Sequence, residues 1–277
     1  MAINHILSQT SIDAKVLVIA TDIARFMIEG AGEALTEDWS FAEPSSGAGA
    51  MAVLVSQQPK IFQVDAGANG FYGYQVMDTC RPTPDGEAGD SDLSLLSYLD
   101  CCENAFREYT KRVEGADYRN TFNLLSFHTP FGGMVKGAHR QMMKKFSDAK
   151  AKEIEEDFKL RVKPSMVYCQ RVGNIMGATA LFSLLSAIDN AEIDSAQRIG
   201  VFSYGSGCCS EFISGIFDVN SQEQLNKRNI SDQLDQRYSL NMQQYDGLLR
   251  SNNNLRFGTR NVAPKPGVKP NCIKLAV

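Results

Sequence analysis

The sequence predicts a layered α/β fold, on the strength of two observations. Strand-length apolar runs alternate along the chain with segments whose apolar residues recur at helical spacing, which is the pattern of a sheet covered by helices. Two of the runs, at residues 16–20 and 50–55, are continuous rather than alternating. We expect strands of this kind to be buried on both faces, as in the middle of a layered structure.

The N-terminal quarter contains a helix, these two strands and a connection. Three apolar residues at helical spacing follow Met1, without the capping residue that normally stands before a helix, so the pattern is that of a helix already under way. Residues 61–64 are expected to extend the second strand or to pair with it. Residues 65–90 are rich in glycine, proline and aspartate, and they predict a long connection.

Helices and strands alternate from residue 90 onward. Asp90 is predicted to cap a helix, and a strand at 122–127 is predicted to end at His128. The other predicted elements are a helix from about Met134, a charged surface helix within 144–163, a helix of small and apolar residues at 177–188, strands at 199–204 and 212–217, and a proline-rich tail at 263–270.

Composition excludes several classes of function. The 277 residues are 43% hydrophobic and 22% charged, an ordinary balance for a globular protein, and the net charge of -4 gives no reason to expect nucleic acid binding. No apolar run approaches the ~20 residues that span a bilayer, and the N-terminus does not follow the order of a signal peptide. Seven cysteines without CxxC spacing argue against structural zinc and for a reduced, cytoplasmic protein.

Three short segments carry residues suited to chemistry. His128 stands between a predicted strand end and a proline turn, where α/β folds place their sites, but it could equally be a hydrogen-bonded structural histidine. Asn174 could cap the helix that follows it or aim its amide at a carbonyl oxygen. The glycines on both sides of Ser206 let backbone N–H groups approach an oxyanion or a phosphate, although a plain tight turn has the same pattern.

These segments carry a resemblance to a known family. The chain resembles the C-terminal half of hydroxymethylglutaryl-coenzyme A synthases in FHTPF at 127–131, GN at 173–174 and SYGSG at 203–207, in this order and at these intervals. The likeness reaches residues 20–24, 47–54 and 78–82, and so covers about 1–261. It is greatest to the synthases of polyketide β-branching, which share FHTPFGGMVKGAHR, YCQRVGNIMGA, SYGSGCCSEF and RFGTRNV.

The resemblance implies a thiolase-like fold, in which two similar halves form five layers, αβαβα. On this basis residues 1–64 are the remainder of the N-terminal half, 65–261 the connection and the C-terminal half, and 262–277 a tail. The family's nucleophilic cysteine and its general-acid/base glutamate would both precede Met1. We therefore expect the chain to lack the first strands and helices of the N-terminal half, and to be poorly stable because edges and apolar faces are uncovered.

The resemblance also implies an activity, that of an acyltransferase. A family member loads acetyl on the cysteine, the glutamate removes a proton from the acetyl methyl group, and the carbanion attacks the ketone of a second acyl thioester. In polyketide β-branching both acyl groups ride on acyl carrier proteins, so the resemblance implies an acyl carrier protein or acyl-coenzyme A as partner, with no cofactor and no metal. The family is homodimeric, and we expect part of the dimer interface to be missing here. Because the cysteine and the glutamate are expected upstream, the chain alone should not catalyse condensation. The alternative is a catalytically inactive fragment, or an interaction subunit that completes a separately encoded piece.

The family's roles pass to matched residues of this chain. His128 matches the histidine that positions and polarises the acceptor thioester, and Asn174 matches the asparagine that binds the acceptor's carbonyl. Ser206, flanked by Gly205 and Gly207, matches the loop whose backbone N–H groups help to hold the oxyanion. We expect His128, Asn174 and Ser206 to converge on one cleft.

Two further matches concern acidic residues and the kind of thioester. Asp22 and Asp78 match carboxylates that shape the substrate pocket, although each could be a cap or a loop residue. At 132–133 two glycines occupy the place where members from primary metabolism carry a basic residue for coenzyme A. That difference favours a carrier-protein substrate over free coenzyme A.

A basic stripe is predicted on the helix after the histidine motif. Lys136, Arg140 and Lys144 follow one another at intervals of four residues and so share a helix face, with His139 and Lys145 beside them. Acyl carrier proteins are acidic, and a local basic face would steer such a partner. An ordinary solvated helix face is the alternative.

Overall fold

The computed structural model describes residues 2–23, 42–83 and 86–252. The strands within these ranges are β1 (Lys15–Ile23), β2 (Ala48–Ser56), β3 (Gln63–Gly73), β4 (Thr79–Thr83), β5 (Gly86–Gly89), β6 (Leu124–Phe127), β7 (Gln197–Gly205) and β8 (Cys209–Phe217). The α-helices are α1 (Ala2–Leu7), α2 (Ser91–Thr110), α3 (Gly132–Phe146), α4 (Ala151–Asp157), α5 (Lys163–Val172), α6 (Thr179–Asn190), α7 (Val219–Asn226), α8 (Ile230–Asp235) and α9 (Met242–Asn252). Among the described helices, none combines the length and the apolar character needed to cross a membrane.

The largest sheet has four strands in the order β3-β8-β7-β6. β6 and β7 are parallel, whereas β8 is antiparallel to both of its neighbours. Side chains alternate between the two faces of a strand, so Leu125 and Phe127 pack with α2, whereas Leu124 and Val201 pack with α6. Helices thus cover both faces, and the predicted layered α/β architecture is confirmed for this sheet.

The layer between α2 and the sheet is a cluster of aromatic rings. The Phe106 ring lies edge-to-face on Phe212 and Tyr118, with centroids 5.2 and 5.4 Å apart. Aromatic pairs of this geometry contribute about 0.5–1.5 kcal/mol beyond the area they bury. The helix comes this close to β3 because residue 70 is glycine: a Cβ atom on Gly70 would collide with the Ala105 carbonyl oxygen.

Strands β1 and β2 form a separate antiparallel pair. One face packs through Met51 against a cluster that includes Ile175. On the other face Leu17, Ile19 and Leu54 are 57%, 63% and 59% exposed. The prediction that both strands are buried on both faces is therefore wrong within the described residues, because a two-stranded pair presents two faces and the described elements cover one.

The predicted connection at 65–90 is also corrected. Residues 63–73 form β3, which pairs with β8 rather than with β2, and β4 pairs with β5 in a short antiparallel hairpin. Five of the positions from 65 to 73 are glycine or alanine, which have low strand propensity, and pairing with β8 together with packing under α2 overrides that preference. The boundary between 64 and 65 falls inside β3, and the division into two thiolase-like halves stays a prediction.

Apart from the charged helix within 144–163 and the tail, the elements predicted from residue 90 onward are confirmed, with shifts of a few residues at their ends. The Asp90 carboxylate accepts a hydrogen bond from the Leu93 N–H at 2.9 Å and caps α2 as expected. The charged stretch at 144–163 is not one helix, because the backbone is extended at Ser147, between α3 and α4. The tail predicted at 263–270 lies outside the described residues.

Candidate active site

His128 follows β6, at the edge of the sheet where the parallel strands β6 and β7 end. Its backbone is fixed from two sides: its N–H donates to the Phe202 carbonyl at 2.7 Å, and its carbonyl accepts from the Tyr98 hydroxyl at 2.6 Å. Since the backbone groups are satisfied by β7 and α2, the position of the side chain is set by the sheet and not by a flexible loop.

The imidazole of His128 is neutral near pH 7. The residue is 7% exposed, and burial lowers the pKa of the ring from 6.5 to about 4, because the cation would lose its hydration. Its ring centroid lies 6.3 Å from that of Tyr204 in the neighbouring strand. A neutral imidazole offers one N–H donor, so the residue is suited to polarising a carbonyl by a hydrogen bond rather than by a full charge.

Asp78 holds the glycine loop next to this histidine. The residue is fully buried, and its two carboxylate oxygens accept from the Tyr204 hydroxyl at 2.7 Å and from the Gly207 N–H at 2.9 Å. Burial and the neighbouring carboxylate raise the pKa of Tyr204 well above its ordinary value, so the hydroxyl keeps its proton for this bond. In the structure both oxygens bind protein donors that fix the loop. The predicted role of Asp78 in binding substrate stays a prediction.

Ser206 stands exposed at the tip of the loop that joins β7 to β8. The Gly207 carbonyl accepts from the Val76 N–H at 2.8 Å, so the loop is held by its backbone as well as by Asp78. Within the described part of the chain, neither the N–H nor the hydroxyl of Ser206 has a hydrogen-bond partner. The tip of the loop is therefore free to donate to a ligand.

Asn174 joins the C-terminal elements to the segment before β2. Its N–H donates to the Ser45 carbonyl at 2.7 Å and its carbonyl accepts from the Gly47 N–H at 2.8 Å. Gly173 precedes it with a φ of +90°, a conformation that favours glycine, and a Cβ atom there would lie 2.8 Å from the Ser45 oxygen. This backbone geometry explains why a glycine precedes Asn174.

The side chain of Asn174 serves as a cap and still leaves donors. Its Oδ1 accepts from the Met176 N–H at 3.0 Å and from the Thr179 hydroxyl at 2.8 Å. Its Nδ2 has a weak acceptor, the Met176 sulfur at 3.6 Å. The two interpretations of Asn174 are thus compatible, because the oxygen caps the turn while the amide hydrogens remain for a ligand.

A cavity of about 320 Å³ links the histidine motif to the asparagine turn. Its walls come from the segment after His128, from the end of α5 and from the segment before β2; they are Pro44, Ser45, Ser46, Thr129, Pro130, Phe131, Gly132, Met166, Cys169, Gln170, Arg171, Val172, Gly173 and Asn174. Neither His128 nor Ser206 is in its lining, so of the three predicted residues the cavity contains Asn174. The convergence of all three predicted residues on one cleft stays a prediction.

Asp22 lies at the end of the hairpin nearest to this cavity. It stands opposite Gly49 in the β1–β2 ladder, and a Cβ atom on Gly49 would touch the side chain of Ile175, next to Asn174. Asp22 is half-buried and has no hydrogen bond to His128 or Asn174 in the described structure. Its role in binding substrate stays a prediction.

The basic stripe lies on the solvent face of α3. Lys136, Arg140 and Lys144 are exposed, and Lys136 forms an ion pair with Glu155 at 2.9 Å. Among the described residues Arg140 and Lys144 form no ion pair. His139 is not part of this surface, since α3 turns it inward, where it is fully buried.

The described cysteines are free thiols. The sulfur atoms of Cys101 and Cys208 lie 3.2 Å apart, and burial raises the pKa of Cys101, Cys102 and Cys169 above the ordinary value. Since the thiolate is the nucleophilic form, these residues are poorly suited to carry an acyl group. Cys272 lies outside the described residues.

Two residues important for this geometry escaped prediction from sequence. Tyr98 fixes the His128 carbonyl from 30 positions away, and Thr179 binds the Asn174 side chain. Tyr98 has the spacing of an ordinary core residue of α2, and it carries no signal that distinguishes it. Thr179 offered one signal: it is a hydroxyl residue five positions after the asparagine, at the start of a helix.

Comparisons with known proteins show the family to which the chain belongs. A family model described as hydroxymethylglutaryl-coenzyme A synthase C terminal matches residues 141–269. The chain belongs to the hydroxymethylglutaryl-coenzyme A synthase family. The resemblance found in the sequence is therefore confirmed.

Among its relatives is PksG, the polyketide biosynthesis 3-hydroxy-3-methylglutaryl-ACP synthase of Bacillus subtilis (strain 168). The two are 62% identical over 262 residues, which cover 95% of this chain and 62% of PksG. The hydroxymethylglutaryl-CoA synthase of Enterococcus faecalis is 32% identical over 250 residues, which cover 90% of this chain and 60% of the relative. The chain thus spans less than two thirds of the length of these relatives.

A solved structure agrees with the fold. The crystal structure of the curacin biosynthetic pathway HMG synthase in complex with acetyl donor-ACP matches with a TM-score of 0.88 and 63% identity. The match covers 95% of this chain and 62% of that one. The predicted thiolase-like α/β fold class is confirmed by this likeness.

Proposed function

We propose that this chain supplies the acceptor side of a hydroxymethylglutaryl synthase reaction in polyketide β-branching. The reaction adds an acetyl-derived carbon unit to a β-keto acyl thioester on an acyl carrier protein. The observation that carries the proposal is the 62% identity to PksG over 95% of this chain. The buried neutral histidine and the free amide of Asn174 support it, because both suit a carbonyl ligand.

His128 and Asn174 act on the ketone of the acceptor. The neutral imidazole and the Asn174 amide each donate a hydrogen bond to a carbonyl oxygen of the bound thioester. When the acetyl-derived carbanion forms its bond to the ketone carbon, the electron pair of the C=O bond moves to oxygen, and a proton then completes the tertiary hydroxyl group. Donors fixed in advance stabilise the developing charge, and removing one from such a site costs about 10²–10³ in rate.

The tip of the glycine loop acts on an oxyanion through Ser206. The Gly207 N–H already donates to Asp78 and is therefore not free for a ligand. The exposed Ser206 N–H is the donor that remains at the tip, and Asp78 serves to hold it in place. Asp22 completes the pocket from the hairpin side.

The partner that brings the substrate is an acidic acyl carrier protein in the cytoplasm. Arg140 and Lys144 present two cations on α3 that are not neutralised by neighbouring residues of the described structure, and Lys136 lies on the same face. PksG is named as an ACP synthase, and the curacin synthase forms a complex with a donor ACP. The free thiols of Cys101 and Cys208, close together without a disulfide, suit a reducing compartment.

The test is a condensation assay on a hybrid protein. Because the chain spans 62% of PksG, the part of PksG that precedes the matched region is joined to this chain. We expect acetyl and acetoacetyl groups on carrier proteins to be converted to a carrier-bound hydroxymethylglutaryl group, detected by mass spectrometry. Absence of product from a folded hybrid, under conditions in which PksG itself is active, contradicts the proposal.

Two histidine substitutions make a matched pair in this assay. His128→Ala should lower the rate by about 10²–10³-fold, because a fixed donor at the reacting carbonyl is lost. His139→Ala removes a second buried histidine, whose ring contacts Tyr118 and Asp157. It should leave the rate per folded molecule close to that of the unsubstituted hybrid.

A further inference from the structure

We infer that Thr179 is a positioning residue for Asn174: its hydroxyl fixes the orientation of the amide, so that Nδ2 and not Oδ1 is presented to the bound thioester. The inference rests on the proposed function, since it takes the ligand of Asn174 to be a carbonyl oxygen. It adds to that function a residue that determines which atom of Asn174 meets the ligand.

The hydrogen bonds of Thr179 give its hydroxyl one possible direction. Thr179 is the first residue of α6 and is fully buried. Its oxygen accepts from the Ile175 N–H at 2.9 Å and lies 2.8 Å from the Asn174 Oδ1. A hydroxyl has a single proton to donate, and the Asn174 Oδ1 is the acceptor that it reaches in the described structure. The proton is therefore directed at Asn174, whose side-chain oxygen accepts it.

A second donor strengthens the same orientation. The Met176 N–H donates to the Asn174 Oδ1 at 3.0 Å, from a residue whose φ of +50° is uncommon for a side chain with a Cβ atom. If the amide were turned by 180°, its NH₂ group would face both the Met176 N–H and the Thr179 hydroxyl. Residues in rare backbone conformations persist where surrounding structure holds them, often at functional sites.

The backbone of Asn174 is fixed, so its side-chain amide is the part of the residue that can still rotate. Ser45 and Gly47 bind its N–H and its carbonyl, so the main chain is fixed on both sides. With Oδ1 occupied, Nδ2 faces the Met176 sulfur at 3.6 Å. A thioether is a weak acceptor, and a carbonyl oxygen of a ligand in the adjoining cavity can replace it.

The experiment follows the Asn174 amide by NMR while a β-keto acyl thioester binds. The chain is labelled with ¹⁵N-asparagine and ¹⁵N-methionine, the signals of Asn174 and Met176 are identified by their loss in Asn174→Asp and Met176→Leu, and acetoacetyl-pantetheine is the probe. Thr179→Val keeps the shape of the side chain and removes the hydroxyl, and Thr179→Ser restores the hydroxyl. In Thr179→Val we expect the dissociation constant to rise roughly fivefold to tenfold, the size of one hydrogen bond, with a smaller shift of the amide signal.

The control variant is Ser186→Ala, on the same helix. The Ser186 hydroxyl is equally buried and has the same pattern of bonds, accepting from the Tyr168 N–H at 3.2 Å and donating to the Pro164 carbonyl at 2.7 Å. It does not contact Asn174. A purely structural effect of losing a buried hydroxyl should appear in both variants, whereas an effect on the amide signal should appear in Thr179→Val and be rescued in Thr179→Ser.

The outcomes separate this inference from the proposed function. Binding by Thr179→Val that equals the wild type, with the same amide shift, overturns the role of Thr179 and leaves the proposed function standing. A wild-type chain that folds and does not bind the probe overturns both. If Thr179→Val does not fold, the wild-type titration decides: the Nδ2 signal should shift while the Met176 N–H signal stays in place, and the reverse pattern would mean that the ligand takes the oxygen side.

Discussion

The hairpin β1–β2 and the sheet β3-β8-β7-β6 are built from similar apolar stretches but are buried differently. Phe106 in the aromatic layer over the sheet is 1% exposed, whereas Leu17 and Leu54, opposite each other on the outer face of the hairpin, are 57% and 59% exposed. An apolar run specifies a strand, but the burial of that strand depends on elements that pack on it from elsewhere. Asn174 lies where the two regions meet, bonded to Ser45 and Gly47 on the hairpin side.

The largest difference between the two regions should appear in stability. Phe106→Ala leaves a cavity among several rings and should lower the free energy of unfolding by about 3–5 kcal/mol. Leu17→Ser, on the exposed face of the hairpin, should change it by less than about 1 kcal/mol. Denaturation by urea measures both, and equal losses would contradict the comparison.

The buried histidine should make stability depend on pH. The pKa of His128 is about 4 in the folded protein and 6.5 in its ordinary state, so the unfolded chain binds a proton first as the pH falls. The free energy of unfolding should therefore keep its full His128 contribution above pH 6.5. It should fall by about 3 kcal/mol as the pH drops from 6.5 to 4. Unfolding of the wild type and of His128→Gln at a series of pH values isolates this contribution. Parallel curves over that window would show that His128 is not buried in its neutral form.

The junction between the regions should be sensitive to a single methyl group. In Gly47→Ala the added Cβ atom would collide with the Val172 carbonyl oxygen, whereas a Cβ atom at Gly177, on the other side of Asn174, meets open space. We expect Gly47→Ala to cost about 1–3 kcal/mol and to weaken binding of acetoacetyl-pantetheine. Gly177→Ala is the control, and calorimetry with both variants compares them. Similar behaviour of the two would mean that the contact at Val172 does not hold the site.

The smallest effect is expected on the basic stripe. Reversing Arg140 and Lys144 to glutamate should slow association with an acidic carrier protein on the order of tenfold at low salt, and much less at physiological salt. Lys227 and Arg228 are also exposed, so their reversal gives the same change in net charge on another element. Stopped-flow association rates compare the pairs. Equal slowing by both would assign the effect to net charge and not to the stripe.

Much of this site follows from local sequence, and the remainder depends on tertiary contacts. The ends of β6 and β7 and the positions of His128, Asn174 and Ser206 follow from apolar runs and short motifs. The bond between Asp78 and Tyr204 joins residues 126 positions apart, and no local pattern specifies such a pairing.

The prediction of a connection at residues 65–90 was wrong for the same reason, because tertiary contacts override the local sequence preference. Gly70 weakens the local preference for a strand, yet it is required because α2 packs directly over that position. The exposure of one face of the hairpin could likewise not be predicted from the sequence, since Leu17 and Ile19 are apolar and still lie at the surface. In both places the elements that pack on a strand, or do not, determine its structure and burial more than its own residues do.

The central claim is that His128 and Asn174 act on one bound acyl thioester, and a double-mutant cycle tests it most directly. Binding of acetoacetyl-pantetheine is measured by calorimetry for the wild type, His128→Ala, Asn174→Ala and the double variant. If both side chains contact the same ligand group, the losses are not additive, and we expect a coupling free energy of about 1 kcal/mol or more. Losses that add within about 0.3–0.5 kcal/mol would mean that the two residues act independently, and would contradict the account.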